Sequence, residues 1–461
     1  MRKPKGIVIA GLSGGSGKSV VSVGLTAAWS ESGKSVAPFK KGPDYIDAGW
    51  LQLAAGRDCY NLDPYLVSED YILASFDQRS SGSDLVVVEG NRGLYDGVTA
   101  KGGFSTAELA LTLELPVLLV VNCTKTTRTI AALVLGCMKL DERINLCGVI
   151  LNQVATSRQS AIITEAVEYY TGVEVLGVMP RMKRDIFPMR HLGMIPHQEY
   201  EDCSSALEFL AKNARENIDI TKVESAMTPG ASPAKDASIE LMTVPAVRDV
   251  KIGILQDAAF QFYYPENMIA LERQGAELVA INAIENHELP EVDGLYIGGG
   301  FPETSARELS INESFRRSVR QAADSGMPIY AECGGLIYLG SSIVLEDKEY
   351  PLVGVFPIKF GMSSKPQAHG YSIFSTRGSN PFYPQGTTVK GHEFRYSEIL
   401  AWHGSPEELT LQMVRGRGFM DGRDGLCYKN VLALYTHVHA EGTPEWASGF
   451  VSRCREYKKN Y

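Results

Sequence analysis

Several features that mark other classes of protein are missing from this chain of 461 residues. Its eight cysteines form no CxxC pair, which argues against a zinc site or a disulfide framework and fits the reducing conditions of the cytoplasm. The net charge of −9 argues against nucleic acid as the main partner. The apolar stretch at residues 109–122 contains Glu114 and Pro116, so it predicts a helix end and a buried strand, not a membrane span.

The composition is that of a globular protein, and the chain is too long to form a single hydrophobic core. In the first half, continuous apolar runs alternate with helix-like segments. Such runs are typical of strands buried on both faces of a parallel sheet. The runs are GIVIAGL, DLVVVEG, PVLLVVN, LCGVILN and VEVLGVMP. They predict a doubly wound α/β fold.

Periodicity is lost at residues 216–248, where small, polar and proline residues dominate. We interpret this interval as a linker. A second α/β series starts with VKIGILQD and continues through AELVAIN, GLYIGGG and PIYAECGGL. The sequence therefore predicts a first domain at residues 1–215 and a second domain at residues 249–461.

The segment AGLSGGSGKSV follows a predicted strand and opens a predicted helix. Backbone N–H groups of such a loop bind phosphate oxygens. Lys18 is expected to reach the β- and γ-phosphates of a nucleotide, and Ser19 to bind Mg²⁺. Leu12 occupies the position of the first glycine in the strict motif, but the strand–loop–helix context still favours a nucleotide site over a flexible turn. The predicted loop glycines are Gly14, Gly15 and Gly17.

Charged side chains follow the next two strands. The stretch FKKGPDYIDA brings Lys40 and Lys41 together with Asp44 and Asp47. Its predicted position beside the phosphate loop favours Lys40 as a phosphate ligand. Glu89 ends the strand DLVVVE, where a carboxylate can hold Mg²⁺ directly or through water. Asp44 and Asp47 are further candidates for binding Mg²⁺ or for contacting the attacking group.

Two residues of the first domain keep two interpretations each. Asp96 lies in the turn NRGLYDG, where aspartate is common for structural reasons, and it is also a candidate catalytic group. Asn152 ends the strand GVILN. It either reads the nucleotide base or caps a turn.

The second domain carries a candidate nucleophile. PIYAECGGLIYL places Cys333 on a sharp turn between a strand and a helix, an environment that activates a thiol. The two glycines after it permit the turn and the close approach of a substrate. Gly334, together with Gly299 and Gly300 of YIGGGFPE, supplies backbone N–H groups for an oxyanion hole.

The base that activates the thiol is expected from ALYTHVHAEG, in which either His437 or His439 fits. Glu441 completes an HxE pattern and could orient an imidazole. His392 of GHEFRYS is a weaker candidate, because a histidine in a mixed region is more often structural. The nucleophile and the base together indicate a hydrolase that releases ammonia from glutamine.

Taken together, these segments resemble the cobyrinate a,c-diamide synthase family. The resemblance rests on GGSGKS, FKKGPDYID, EGNRGLYDG, GGGFPE, AECGGL, GHEFRYS and YTHVH, which follow the order of the family across nearly the whole chain. It implies a P-loop NTPase domain of the dethiobiotin-synthetase type fused to a class I glutamine-amidotransferase-like domain. It also implies amidation of the a and c acetate carboxylates of a corrin macrocycle in cobalamin biosynthesis, with ATP, Mg²⁺ and an acyl phosphate.

By position, the resemblance also implies roles for single residues. Ser19 and Glu89 match the Mg²⁺ side of the family site, and Lys18 and Lys40 match phosphate ligands. The residues that match the macrocycle and the catalytic region are Asp44, Tyr45, Asp47 and Asp96. In the second domain, Cys333 matches the nucleophile and His437 matches the base of glutamine hydrolysis.

Two departures from the family pattern leave the macrocycle open. Lys41 stands where the family usually has an apolar residue, and Arg92 stands in EGNRGLYDG where the family usually has EGVMGLYDG. These cations indicate substrate contacts, so hydrogenobyrinate and nickel sirohydrochlorin remain alternatives to cobyrinate.

Two different activities also have to be weighed against this one. The first is that of cobyric acid synthase, against which GPDYID and the shorter length argue. The second is an ATPase switch with an inactive glutaminase module, against which the presence of both Cys333 and His437 argues. No nucleic acid or membrane partner is expected, and a homodimer is left open.

Overall fold

The computed structural model describes residues 3–181, 189–190, 193–200, 202–233, 239, 241, 245 and 247–460. The chain divides into two compact units, Met1–Leu241 and Met242–Tyr461. Within the described ranges, no helix is long and apolar enough to cross a membrane. The apolar stretch at 109–122 is a helix end followed by a buried strand, as predicted from its Glu114 and Pro116.

The first unit is built on a sheet of seven parallel strands, which confirms the predicted fold class. These strands are β1 (Lys5–Gly11), β2 (Val36–Lys41), β3 (Tyr60–Leu62), β4 (Leu85–Glu89), β5 (Val117–Asn122), β6 (Leu146–Val154) and β7 (Val175–Pro180). Three two-residue strands follow: β8 (Met189–Arg190), β9 (Gly193–Met194) and β10 (Thr228–Pro229). The order across the sheet is β3-β2-β4-β1-β5-β6-β7, and β10 pairs antiparallel with β1.

Helices connect these strands. They are α1 (Lys18–Glu31), α2 (Ile46–Ala55), α3 (Glu69–Ser80), α4 (Thr106–Thr112), α5 (Thr129–Leu140), α6 (Ser157–Thr171), α7 (Cys203–Asn217) and α8 (Ile220–Ala226), with a 3-10 turn at His197–Glu199. Ile7 and Ile9 of β1 pack with Leu25 and Trp29 of α1. The alternate residues of β1 and β4 on the other face are also buried. Burial on both faces explains why the strands read as unbroken apolar runs.

The predicted linker at residues 216–248 is in part ordered structure. It contains α8, whose Val223 is fully buried, and β10. The side-chain amide of Gln78 on α3 donates to the carbonyl of Ile239 and accepts from the N–H of Leu241 at 3.1 Å. The segment that ends at Leu241 therefore belongs to the first unit, and the division between the units falls within the predicted linker.

The second unit contains a six-stranded sheet in the order β13-β11-β14-β16-β26-β25, parallel except for its edge strand β25. Two further sheets have the orders β18-β17-β19-β22 and β24-β23-β20-β21-β27, and β12 pairs with β15. The strands are β11 (Val250–Leu255), β12 (Phe260–Phe262), β13 (Ala276–Ile281), β14 (Gly294–Ile297), β15 (Gly299–Gly300), β16 (Ile329–Glu332), β17 (Ser342–Leu345), β18 (Lys348–Pro351), β19 (Ile358–Met362), β20 (Ala368–Thr376), β21 (Thr388–Arg395), β22 (Ser397–Trp402), β23 (Leu411–Arg415), β24 (Arg423–Asp424), β25 (Leu426–Tyr428), β26 (Val431–Leu434) and β27 (His437–Val438).

The helices of the second unit are α9 (Pro265–Arg273), α10 (Ala306–Ile311), α11 (Glu313–Asp324), α12 (Gly334–Leu339) and α13 (Pro444–Asn460), with 3-10 turns at Pro406–Glu408 and Ala440–Gly442. In both units the candidate residues follow the carboxyl ends of neighbouring parallel strands: β1, β2 and β4 in the first, β16 and β26 in the second. Ligands of open α/β sheets bind at this edge.

The contact between α1 and α7 makes a testable packing prediction. A Cβ atom at Gly24 would lie 2.9 Å from the backbone oxygen of Leu210. Because a helix backbone cannot swing aside, we expect Gly24→Ala to destabilise the first unit by about 1–3 kcal/mol. The control is Gly136→Ala in α5, where a Cβ atom meets nothing within 4 Å and alanine favours the helix by about 1 kcal/mol. Thermal unfolding followed by circular dichroism measures both variants; equal midpoints would contradict the clash.

Candidate active sites

The phosphate loop joins β1 to α1. Gly17 has a left-handed φ of 93°, and a Cβ atom there would overlap with the side-chain amide of Asn152. That amide donates to the carbonyl oxygen of Ser16 at 2.9 Å, so Asn152 supports the loop from behind. Cβ atoms at Gly14 and Gly15 would meet nothing within 4 Å. A ligand can therefore approach the loop backbone on that side.

Lys40 is the centre of a charge network at the ends of β2 and β4. Its Nζ donates to Asp47 Oδ2 at 2.8 Å, to Glu89 Oε1 at 3.0 Å and to the carbonyl oxygen of Gly90 at 3.1 Å. Asp44 Oδ2 lies 3.7 Å from the same nitrogen. The lysine is only 1% exposed. The structure thus brings together four residues that the sequence places in two separate segments.

Burial and charge act in opposite directions on this network. Burial alone would lower the pKa of Lys40, but the three carboxylates around it hold that pKa well above its ordinary value. Burial, together with the charge of Asp47, raises the pKa of Asp44 to about 7. Burial would also raise the pKa of Asp47, but the charge of Lys40 outweighs it and lowers that pKa to about 2. The Lys40–Asp47 pair is therefore charged across the physiological range.

The first helix contributes hydroxyl groups to the same network. Ser19 Oγ donates to Glu89 Oε1 at 2.8 Å, and the Ser22 hydroxyl donates to Oε2 of that carboxylate. Lys18 Nζ donates to the carbonyl oxygen of Ser13 at 3.3 Å. Burial, together with the charge of Lys40, lowers the pKa of Lys18. An anion bound in the loop would raise the pKa of Lys18 again, because its negative charge would oppose the influence of burial and of Lys40.

The oxygen donors of this edge fit Mg²⁺. Among the described residues, no group of three or more His, Cys, Asp and Glu side chains is arranged to hold a metal alone. Mg²⁺ does not need such a group, because it binds through one or two carboxylates, water and the phosphates of a nucleotide. Ser19, Glu89 and Asp44 offer a hydroxyl and two carboxylates, which are ligands of the right chemistry.

The turn after β4 is held against the phosphate loop. Asp96 Oδ2 accepts from the N–H of Gly93 at 2.8 Å and closes the turn. The N–H of Leu94 donates to the carbonyl oxygen of Gly11, the last residue of β1, at 2.6 Å. Asp96 therefore has the structural role that its turn indicates. Its position beside the loop is also compatible with a catalytic role, which stays a prediction.

The residues predicted to contact the substrate lie at the same edge. Tyr45 is half-buried directly before α2, and Arg92 is exposed with a left-handed φ of 53°. Lys41 is 4% exposed and points to the face of the sheet opposite Lys40, because side chains alternate along a strand. Burial lowers the pKa of Lys41, although the charge of Asp63 opposes this. Within the part of the chain that the structure describes, the Lys41 ammonium makes no hydrogen bond or ion pair.

In the second unit, Cys333 occupies the predicted sharp turn between β16 and α12. Its φ of 48° and ψ of −96° are costly for a residue with a side chain. Its N–H donates to the carbonyl oxygen of Leu434 at 2.8 Å, which ties the turn to β26. A Cβ atom at Gly334 would lie 3.0 Å from the nitrogen of Gly300, so the two predicted oxyanion segments are in close contact.

His437 lies beside Cys333 and Glu332. Its Nδ1 is 3.5 Å from Glu332 Oε2, and the Cys333 side chain interacts with the same ring. Burial alone would lower the pKa of His437, but the interactions with Cys333 and Glu332 outweigh burial and raise the pKa to about 10. A charged imidazole next to a thiol favours the nucleophilic thiolate. Gly299 must be glycine here, since a Cβ atom would overlap with the His437 ring.

The remaining two histidines of this region are packed around the pair. The His392 ring stacks on His437, with 4.9 Å between ring centroids and 20° between planes. Burial lowers the pKa of His392 well below its ordinary value. His439 is fully buried against the Tyr264 ring, and its Nε2 lies 3.8 Å from Glu266 Oε1. Of the two candidate bases, His437 is the one beside the thiol.

The structure does not support the expectation that Glu441 orients the catalytic imidazole. Glu441 instead accepts from Arg273 at 2.6 Å. Glu332, which no sequence motif singles out, faces His437. The available signal was its place at the end of a buried strand, because a carboxylate there needs partners that compensate its burial.

Both sites fall inside regions that match known families. Residues 7–192 match the family model described as the CobQ/CobB/MinD/ParA nucleotide binding domain, and residues 251–445 match the CobB/CobQ-like glutamine amidotransferase domain. The chain is similar over nearly its whole length to curated proteins named cobyrinate a,c-diamide synthase. It is 40% identical over 437 residues to that of Magnetococcus marinus, covering 94% of this chain and 93% of the relative. It is 38% identical to that of Archaeoglobus fulgidus, covering 98% of each.

The contact between Gly17 and Asn152 predicts the effect of a single methyl group. We expect Gly17→Ala to weaken ATP binding at least about tenfold, because the new Cβ atom strains a left-handed residue and displaces the amide that supports the loop. The control is Gly33→Ala just after the other end of α1, where φ is 85° and a Cβ atom meets nothing within 4 Å. Calorimetric titration measures the affinity of both variants for ATP. A similar loss in Gly33→Ala would show that strain of a left-handed backbone, and not the contact with Asn152, causes the effect.

Proposed function

The chain belongs to the cobyrinate a,c-diamide synthase family, and on that premise we propose that it amidates the a and c acetate carboxylates of cobyrinate. It is a glutamine-dependent, amide-forming ligase of cobalamin biosynthesis that uses ATP. The observation that supports the residue assignments best is the Lys40 network beside the phosphate loop, since it concentrates charge where a phosphoryl group and a carboxylate must meet. In this proposal the enzyme acts in the cytoplasm. Its substrates are a tetrapyrrole, glutamine and ATP.

The first unit must make a carboxylate reactive. An acetate carboxylate is a poor electrophile, and transfer of the γ-phosphoryl group of ATP converts it into an acyl phosphate that ammonia can attack. In this proposal the loop N–H groups, Lys18 and Lys40 bind the phosphates and stabilise negative charge during transfer. When bound, Mg²⁺ neutralises phosphate charge, and Ser19, Glu89 and Asp44 would hold it.

The remaining residues at this edge position the reactants. Asp47 holds Lys40 in place through its short ion pair. In this proposal Asp44 and Asp96 face the acetate arm and the attacking ammonia, and Tyr45 contacts the macrocycle. Asn152, which supports Gly17, keeps the loop in its phosphate-binding shape and contacts the nucleotide from the same side.

The second unit supplies ammonia. The Cys333 thiolate attacks the side-chain amide carbon of glutamine, and the N–H groups of Gly300 and Gly334 stabilise the oxyanion that forms. His437 gives its proton to the nitrogen that leaves as ammonia. Water then hydrolyses the glutamyl thioester, which releases glutamate and restores the thiol.

The substrate can be identified from the amidated products. We expect mass spectrometry to find two carboxylates converted to amides when cobyrinate is supplied with ATP, Mg²⁺ and glutamine. Cys333→Ala should lose this activity with glutamine and keep it with an ammonium salt, whereas Lys18→Ala should lose it with both nitrogen sources. Hydrogenobyrinate and nickel sirohydrochlorin are supplied in parallel. Double amidation of either one in place of cobyrinate would contradict the proposed substrate.

Lys41 and Arg92 provide a separate prediction about the substrate. A buried ammonium with no protein partner in the described part of the chain, close to an exposed guanidinium, suits a carboxylate that arrives with the macrocycle. We expect Lys41→Met to raise the KM for the macrocycle by about 10- to 100-fold and to leave the KM for ATP unchanged. Arg92→Met should act in the same direction, and Lys139→Met, which removes an exposed lysine paired with Glu142, is the control. An unchanged KM for all three macrocycles would remove this assignment.

A further inference from the structure

Glu332 is a buried carboxylate directly before the nucleophile, and it is only 1% exposed. Its Oε1 accepts from the N–H of Val438 at 3.1 Å, and its Oε2 accepts from the hydroxyl of Tyr296 at 3.2 Å. The same Oε2 lies 3.5 Å from Nδ1 of His437. Each oxygen is therefore held by a neutral donor, while the group that can carry the compensating positive charge is the His437 imidazole.

Glu332 also determines where the His437 backbone lies. Val438 is the second residue of β27, and its N–H bonds to Glu332. On the other side of that residue, Asn267 donates to the Val438 carbonyl oxygen at 2.8 Å and accepts from the N–H of Ala440 at 2.8 Å. One carboxylate thus contacts both the strand that carries the histidine and the ring of the histidine.

The remaining carboxylates near this strand are engaged elsewhere. Glu441 pairs with Arg273 at 2.6 Å, and Glu266 faces His439. Glu393, on the neighbouring strand β21, accepts from the N–H groups of Arg417 and Gly418. A catalytic imidazole needs an acceptor for its Nδ1–H, because that bond fixes the tautomer and the direction of the ring. In the described second unit, Glu332 is the carboxylate that lies beside this nitrogen, with Oε2 at an ion-pair distance of 3.5 Å from Nδ1.

We propose that Glu332 is the positioning residue of the glutaminase site and takes the place that the HxE pattern suggested for Glu441. This inference rests on the proposed roles of Cys333 and His437 and is independent of the macrocycle. Glu332 accepts the Nδ1–H of His437, which leaves Nε2 to take the thiol proton. The imidazolium and the thiolate form together, and Nε2–H later passes its proton to the departing ammonia.

Glu332→Gln tests the inference through the tautomer. The amide oxygen of the new residue can still accept from Val438, but its NH₂ group then faces Nδ1. That donor makes Nδ1 an acceptor and moves the ring proton to Nε2, where it blocks uptake of the thiol proton. We expect kcat for glutamine hydrolysis, measured as glutamate release by the full chain, to fall about 10²- to 10³-fold.

The pH profile separates positioning from a general structural role. The ion pair with Glu332 helps to raise the pKa of His437 to about 10, so the protonated ring persists to high pH. Loss of the negative charge in Glu332→Gln lowers that pKa, and the basic limb of kcat/KM for glutamine must move to lower pH. Glu332→Asp keeps the charge, and it should keep the limb near its original position while lowering kcat.

Glu441→Gln is the matched control, and it should retain kcat within about twofold and an unshifted basic limb. A Glu332→Gln enzyme with an unshifted limb would overturn the inference, and so would an equal loss in Glu441→Gln. If Glu332→Gln does not fold, as judged by circular dichroism, Glu332→Asp decides: a limb that shifts although the charge is retained overturns the inference. Glutamate release is the readout, so failure to amidate cobyrinate would contradict the proposed synthetase function and leave this result intact.

Discussion

The first site depends on the solvation of one buried ammonium group. Lys40 is almost completely removed from water, and a lysine in that position is stable only where carboxylates replace the water. Its partners come from three parts of the chain: the loop before α2, the start of α2 and the end of β4. The serines of α1 hold the same Glu89 carboxylate. The ion network therefore fixes the positions of three elements around the phosphate loop, and the nucleotide site follows from that arrangement.

The two units solve a similar problem with different chemistry. Each places its reactive groups just beyond the carboxyl ends of parallel strands, where the backbone leaves the sheet. In the first unit a glycine with a left-handed φ permits the turn, because the loop must present N–H groups and no side chain. In the second unit Cys333 itself takes the unusual backbone angles, because there the side chain is the reagent. The strain in the second case is opposed by the N–H of Cys333 bonding to β26.

Much of the fold was predictable, because strands buried on both faces leave a strong apolar signal. The Lys40, Asp44 and Asp47 cluster was predictable for a related reason, since all three lie at or just after the end of one strand. Glu332 was not identified, because only the packing of β16 against β27 shows which carboxylate meets the imidazole. The surroundings of Arg395, in the segment GHEFRYS, are equally dependent on packing. Arg395 lies over the Tyr435 ring and donates to the carbonyl oxygens of Ser397 and Gly418.

The pairing of β10 with β1 determines how the first unit can be produced as a separate fragment. Thr228 and Pro229 pair with Gly6 and Lys5, at the start of the strand that leads into the phosphate loop. A fragment cut at residue 215 would shorten α7 and lose α8, β10 and the backbone groups that bond to Gln78. It would also uncover apolar surface around β1. A recombinant nucleotide-binding fragment therefore has its natural terminus at or beyond residue 241.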